Sequence, residues 1–415
     1  MRTLTTLVLM ALFASPAHAA EPVLAIRGGT VLTVTHGTVP DGTILVQGGR
    51  IVALGSDVKV PAGARILDAR GRYVMPGIID AHSHIALAGD VNEATSPVTP
   101  QLDMLSALDP YDPAILLALA GGVTATKLLH GSANVIGGVS VTVKLKWGHP
   151  ASDMVIHGVR PQLKMALGEN PKRTYGDKDK MPATRPGEMA LIRQSFAEAL
   201  DYKREWDSYR SEVAANKEAK PPKRDLKLET LAAVLDGKIA IDCHAYSAQE
   251  IVALLGIVEE YNLPLLAFSH ALEAYKVRDL LAKRGVSVQT HTDWWGYKWE
   301  AYDAIPYAPE MLIRAGVNTV LISDSPDVTR RLNREAAKLL RHGGLSEDQA
   351  LATITINPAR ALEIDSRTGS LEVGKDADLA IFDRHPLDSR AKCVATIVEG
   401  EILFDIAHVG PALPQ

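Results

Sequence analysis

The chain has 415 residues, of which 47% are hydrophobic, 22% charged and 5% aromatic. This ordinary globular composition excludes wholesale disorder, collagen-like repeats and a coiled-coil rod; at about 100–200 residues per domain, the length allows two to four domains or one large barrel with an appendage. A net charge of −5 offers no basic footprint for nucleic acid, and two cysteines, Cys243 and Cys393, cannot build a disulfide framework or a cysteine-rich zinc module.

Residues 1–19 read as a secretory signal, with Arg2 as the positive region, an apolar stretch over residues 7–13 and Ala17-His18-Ala19 as a small-residue cleavage pattern. A spanning helix needs about 20 apolar residues, so this run predicts export to the periplasm or the medium rather than a stable membrane span. From residue 23 to about 69, VLAIRGGTVLTV, GTILVQGGRIVALG and ARILDARGRYVMP are strand-like runs between Gly-rich turns. Further on, IAIDCH, PLLAFSH, VSVQTH and TVLISD are short apolar runs separated by helical stretches such as SAQEIVALLGIVEEY. Repeated strand–helix units predict an α/β fold with a parallel sheet, and this many favour a closed barrel. Residues 170–229 interrupt the rhythm; rich in charge and proline, with a helical core over about 188–217, they read as a surface insertion or a lid over the barrel mouth. Near the end, GSLEVGKDADLAIFD and CVATIVEGEILFD return to strand character.

Metal-capable residues close several of these runs. In Ile78-Ile79-Asp80-Ala81-His82-Ser83-His84 the two histidines are two apart, so they project to one face of a strand. The later runs end at His244, His270 and Asp324. A barrel gathers the C-terminal ends of its strands on one rim, and imidazole with carboxylate suits zinc and similar divalent ions. Each histidine alone is unremarkable; four of them and an aspartate at successive strand ends predict a metal centre.

PGIIDAHSH, the three later strand-end donors and the terminal GSLEVGKDADLAIFD together resemble the amidohydrolase superfamily, and within it the imidazolonepropionase-like branch that includes Xaa-Pro dipeptidases. The resemblance spans residues 23–404 and implies a distorted (β/α)8 barrel over residues 71–366, with a small composite β-sandwich from residues 20–70 and 367–415. It also implies that His82 and His84 bind one metal with Asp324, that His244 and His270 bind a second, and that a residue of the fourth strand bridges them. Lys164, carboxylated by CO2, and Glu169 in the following turn are the two candidates for that bridge. In a mononuclear site His82, His84, His244 and Asp324 would hold the single ion, leaving His270 to contact substrate.

A bound divalent ion, with zinc the expected metal, lowers the pKa of its water to about 7. Asp324 would then pass the nucleophile's proton to the departing nitrogen, with the metal or His270 polarising the carbonyl. The expected reaction is hydrolysis of a carbon–nitrogen bond in a small amide or short peptide, a dipeptide or N-acyl amino acid fitting an exported enzyme. Cyclic-amide hydrolysis is the alternative, ahead of lactone, phosphotriester or deaminase chemistry and of a non-catalytic barrel. Weaker signals are His130 with the Gly131–Gly138 loop, a candidate substrate contact, and the stretch Asp293-Trp294-Trp295-Gly296-Tyr297-Lys298-Trp299. That stretch is read equally as packing against the insertion or a second subunit of a homo-oligomer, and as an aromatic wall in which Trp294, Trp295 and Lys298 meet substrate.

Overall fold

The computed structural model describes residues 22–408; the predicted signal lies outside the described residues. Strands from both chain ends form one eight-stranded sheet: Leu24–Leu32, Thr38–Gln47, Arg50–Gly55, Arg65–Asp68 and Tyr73–Pro76 from the N-terminal side, Leu379–Phe382, Cys393–Val398 and Glu401–Asp405 from the other. The two halves join where Tyr73–Pro76 pairs antiparallel with Leu379–Phe382. The sheet curls on itself, so that Ile26, Ile44 and Ile51 share a core with Leu379, Ile381 and Ile397. The curl brings the turn at Gly49 against the turn at Gly400. A Cβ on Gly49 would lie 2.9 Å from the Glu399 carbonyl oxygen, and both glycines have positive φ, 73° and 81°, where L side chains are strained.

The barrel wall consists of Ile78–Ser83, Val123–Leu128, Gln162–Ala166, Ala240–Ala245, Leu265–His270, Ser287–Thr290 and Thr319–Leu321, all running the same way. An eighth, bent position is filled by Ile136–Val139 and Val141–Lys144, which pair antiparallel with Gln162–Ala166 and Val123–Leu128 respectively. The expected uniform parallel order is therefore broken once. A parallel crossover needs a dozen or more residues, usually with a helix, and the connection over residues 129–135 is too short for one, so the chain turns straight back. At the bend, the Ser140 hydroxyl donates to the Gln162 carbonyl at 2.9 Å, which ties the two sheets together.

The opposite seam, between Ile78–Ser83 and Thr319–Leu321, is bridged by other groups. The Ile79 amide donates to the Ile354 carbonyl at 2.9 Å and the Leu321 amide to the Thr353 carbonyl at 3.0 Å. Asp80 accepts from the backbone amides of His82 at 3.2 Å and Ser323 at 3.3 Å, and from the Ser323 hydroxyl. A buried carboxylate thus joins the first strand to the last.

The outer helices follow local signals. Ala248–Tyr261 begins with a capping box, Ser247 and Glu250 satisfying each other's amides, and ends at Asn262 in the left-handed conformation with φ 50°. In the charged insertion, Arg185–Ala214 is a single helix capped by Thr184. Its first half is part of the barrel's outer layer: Ile192, Phe196 and Ala199 pack with Leu231 and Val234 of the helix Leu226–Leu235, and with Ile251 and Leu254. No helix among the described residues is long and apolar enough to cross a membrane.

Candidate active site

Inside the barrel, the period-2 alternation of strands lines the interior with polar side chains. Asp80 and His82 share a face, as do Gln162 and Lys164, and Asp242 and His244, and all six are buried. Cys243, between two of these positions, instead joins the core beneath the outer helices, where burial pushes its thiol well above the usual range.

One nitrogen each of His82 and His84 and a carboxylate oxygen of Asp324 lie within 4.8 Å of one another. Asp324 Oδ1 is 3.4 Å from His84 Nε2 and 3.6 Å from His82 Nε2, and its Oδ2 is 4.0 Å from His270 Nδ1. The rings of His82 and His270 are 4.8 Å apart, and those of His244 and His270 4.4 Å. All five strand-end donors therefore converge. His270 and Asp324 have positive φ, 68° and 50°, and Ala271 follows at 33°. Such left-handed residues other than glycine cost on the order of 1–3 kcal/mol each, which the surrounding strands sustain at this rim.

Two candidate bridges were open in the sequence. Lys164 Nζ is 3.3 Å from His82 Nε2, whereas the Glu169 carboxylate opens the helix Glu169–Gly176 and faces Lys298 at 3.6 Å and Arg173 at 4.0 Å. The geometry places Lys164 among the imidazoles and Glu169 outside them. His84 Nδ1 is held by the Leu129 carbonyl at 2.9 Å. His244 is buried with neither ring nitrogen hydrogen-bonded, an uncommon state for a buried polar group.

Burial disfavours the charged form of His82, His244, His270 and His291. Burial, followed by the positive field of Lys164, holds His82 and His244 well below the ordinary histidine range. Burial and then His244 do the same to His270, and burial lowers His291 to about 4. Burial also lowers Lys164 to about 8, against the pull of Asp242 and Asp324. For Asp324 burial acts upward, but His270 and His84 outweigh it and hold the carboxyl well below its usual range. Neutral imidazoles beside a carboxylate are the protonation states that metal ligation needs.

The aromatic stretch divides. Trp294 stacks on His291 with ring centres 3.8 Å apart and 5° between planes, and His291 Nε2 is 3.3 Å from His270 Nδ1. Trp295 is 62% exposed and leans on Tyr302 at 6.2 Å, away from the histidines. Lys298 Nζ lies 3.9 Å over the Tyr246 ring, which in turn stacks on His270 at 5.3 Å. The ammonium is flanked by Glu169 and Glu300, each at 3.6 Å, so it is not a free anion receptor. His130 is buried, its Nδ1 2.9 Å from the Gly131 carbonyl and its Nε2 approached by the Glu93 amide at 3.4 Å.

Sequence reasoning assigned no role to Asp80, Lys127, Asp242, Tyr246, Ser269 or His291. Three of these were findable: Asp80 and Asp242 sit two residues before His82 and His244, on the inward face, and His291 ends the apolar run VSVQTH. Lys127, Ser269 and Tyr246 carried no comparable signal, because their roles depend on partners far away in the chain.

With this geometry in view, the relationships to known proteins are specific. Residues 264–404 match the amidohydrolase family. The crystal structure of an amidohydrolase from Thermotoga maritima MSB8 superposes with a TM-score of 0.86 at 34% identity, covering 92% of this chain and 100% of that one. Amidohydrolase tasK of Hapsidospora irregularis is 33% identical over 399 residues, 88% of this chain, although the chain spans only 40% of that protein's length. An imidazolonepropionase of Mesorhizobium japonicum is 28% identical over 385 residues, covering 84% of this chain and 87% of that one. The chain belongs to the amidohydrolase superfamily of hydrolases and is similar to its imidazolonepropionases.

Proposed function

We propose that the protein is an exported, metal-dependent hydrolase that cleaves a carbon–nitrogen amide bond in a dipeptide or N-acyl amino acid. The observation that carries this reading is the donor set: His82, His84 and Asp324 within 4.8 Å of one another, beside a buried His244 with both nitrogens unpartnered. Three or four imidazoles with one carboxylate fit zinc or a similar divalent ion. In this reading His82, His84 and Asp324 would hold one ion, His244 and His270 would be available to a second, and Lys164, 3.3 Å from His82, would supply an anionic oxygen ligand once carboxylated. When bound, such an ion supplies Lewis acidity and a water of lowered pKa.

The chain's own groups supply the rest. Asp324 accepts a proton at a carboxylate oxygen and returns it to the departing nitrogen. In a mononuclear site His270, between the rings of Tyr246 and His291, would be free to meet the substrate carbonyl. Trp294 and Tyr297 form a wall for an apolar substituent, and the buried His130 lies at the end of a neighbouring barrel strand.

The imidazolonepropionase relatives favour a second reading, hydrolysis of a cyclic amide. The two separate in one experiment: the metal-loaded protein is assayed against dipeptide, N-acyl amino acid and cyclic-amide panels, with and without chelator. Chelator-sensitive turnover of the linear amides supports the first reading, and turnover confined to cyclic amides transfers the assignment to the second. A protein that holds no stoichiometric divalent ion and turns over neither panel sinks both. Export is tested separately, by whether the full-length chain expressed with its first 19 residues is processed and recovered in the periplasmic fraction.

A further inference from the structure

Beneath the candidate ligands lies a chain of buried polar groups that the proposed chemistry does not use. His82 Nδ1 is 3.1 Å from the Ser269 hydroxyl oxygen, and that oxygen is 2.5 Å from Asp242 Oδ1. The other oxygen of Asp242 is ion-paired with Lys127, whose ammonium also donates to Gln162 Oε1 at 2.8 Å. Lys127, Asp242 and Ser269 are fully buried, and His82 is 1% exposed. Gln162 is itself oriented, because its Nε2 donates to the Ala361 carbonyl at 3.1 Å.

The direction of every proton in this chain follows from charge. Asp242, paired with a buried ammonium, is a carboxylate and can only accept. The single hydroxyl proton of Ser269 is therefore spent on Asp242, which leaves lone pairs facing His82 Nδ1 and Gln289. The Gln289 amide satisfies one of them when its nitrogen is turned toward Ser269; placed the other way, that nitrogen is buried without a partner. The remaining lone pair requires a proton on His82 Nδ1. A neutral imidazole carries one proton, so Nε2, the nitrogen that faces Asp324 and Lys164, bears a bare lone pair. His84 reaches the same tautomer more simply, through the Leu129 carbonyl.

We propose that Lys127, Asp242 and Ser269 are positioning residues, a serine-mediated relay that fixes His82 in its Nδ1–H tautomer and so prepares Nε2 as a metal ligand. Histidine ligands commonly take this orientation directly from a carboxylate or carbonyl. Here the hydroxyl intervenes, and the buried lysine keeps the carboxylate anionic in a site where burial would otherwise favour its neutral form. The inference rests on the metal-centre reading for its consequence, though not for the tautomer itself.

The test has two arms, both on the full chain. In the first, metal-free protein labelled with 15N-histidine is examined by two-bond 1H–15N correlation at pH 8, with the His82 ring assigned from its loss in His82→Gln. The expected result is an Nδ1–H ring for His82, shifting toward a mixed population in Ser269→Ala; an Nε2–H ring in the unsubstituted protein overturns the relay. In the second, zinc affinity is measured by competition with a chromophoric chelator. Outer-shell substitutions typically cost 10–100-fold in metal affinity; Ser269→Ala should show a loss of this order, with Ser269→Thr, which keeps the hydroxyl, restoring most of it. Ser269→Ala that keeps a native circular dichroism spectrum and unchanged zinc affinity refutes the positioning role. If the unsubstituted protein binds no zinc, the metal-centre reading fails while the tautomer arm still decides the relay.

Discussion

Glu188 offers a test of the electrostatics around the site that does not depend on catalysis. It lies in the first turn of Arg185–Ala214, fully buried, and neither carboxylate oxygen has a well-formed hydrogen bond. Burial raises its pKa from 4.5 to about 8, with the Gly168 amide working against the shift and Glu250 adding to it. The carboxyl is thus protonated in the folded chain at neutral pH, whereas the unfolded chain ionises near 4.5. A group with a raised folded pKa gives its full stability below the unfolded pKa and loses it as pH climbs to the folded one. At about 1.36 kcal/mol per unit, the shift corresponds to an upper bound on the order of 4–5 kcal/mol lost between pH 4.5 and 8, and relaxation of the site reduces that to a few. Glu188→Gln mimics the neutral acid and cannot ionise. Urea denaturation should find the variant and the parent nearly equal in stability at pH 4 and the variant a few kcal/mol more stable at pH 8.5. A stability difference that is the same at both pH values would refute the assignment of a buried, unpaired carboxyl to this position.

Other expectations follow from the site and the sheet. His82→Ala and Asp324→Ala should each lose at least one equivalent of bound divalent metal, read by elemental analysis, together with about 10³-fold or more of turnover; full activity in either refutes the hydrolytic centre. Intact-protein mass under neutral, CO2-saturated conditions should rise by the mass of one CO2 in the parent and not in Lys164→Met, and a gain that survives in Lys164→Met would move the modification elsewhere. Trp294→Ala should raise KM by about tenfold, equivalent to about 1.4 kcal/mol, while Trp295→Ala, whose ring leans outward on Tyr302, should leave KM within about twofold. Gly400→Ala should destabilise by about 1–3 kcal/mol, since φ is 81° and the new methyl would sit 2.9 Å from Val46 Cγ1; a thermal midpoint equal to the parent's would contradict the curled sheet.

Much of the architecture was legible in the linear pattern because it is encoded locally. Alternating apolar residues mark a strand wherever they occur, and Ser247 with Glu250 announces a helix start within one turn. For the same reason His82, His84, His244, His270 and Asp324 could be nominated together: each ends a short apolar run, and a barrel places such ends on one rim. The antiparallel turn-back at Ile136–Lys144 was missed because the apolar runs show that strands exist, not which way each one points.

What only the folded chain decided are the encounters between residues far apart in sequence. Lys164 and Glu169 are nearly neighbours, yet one meets His82 across 82 positions while the other turns to Lys298. Asp80 reaches Ser323 over 243 positions to join the barrel's first and last strands, and Lys127 reaches Asp242 over 115. Local composition can state that these side chains are polar and face inward. Which of them touch is set by how the barrel strands pack together, because desolvation makes every buried charge depend on the one partner that geometry supplies.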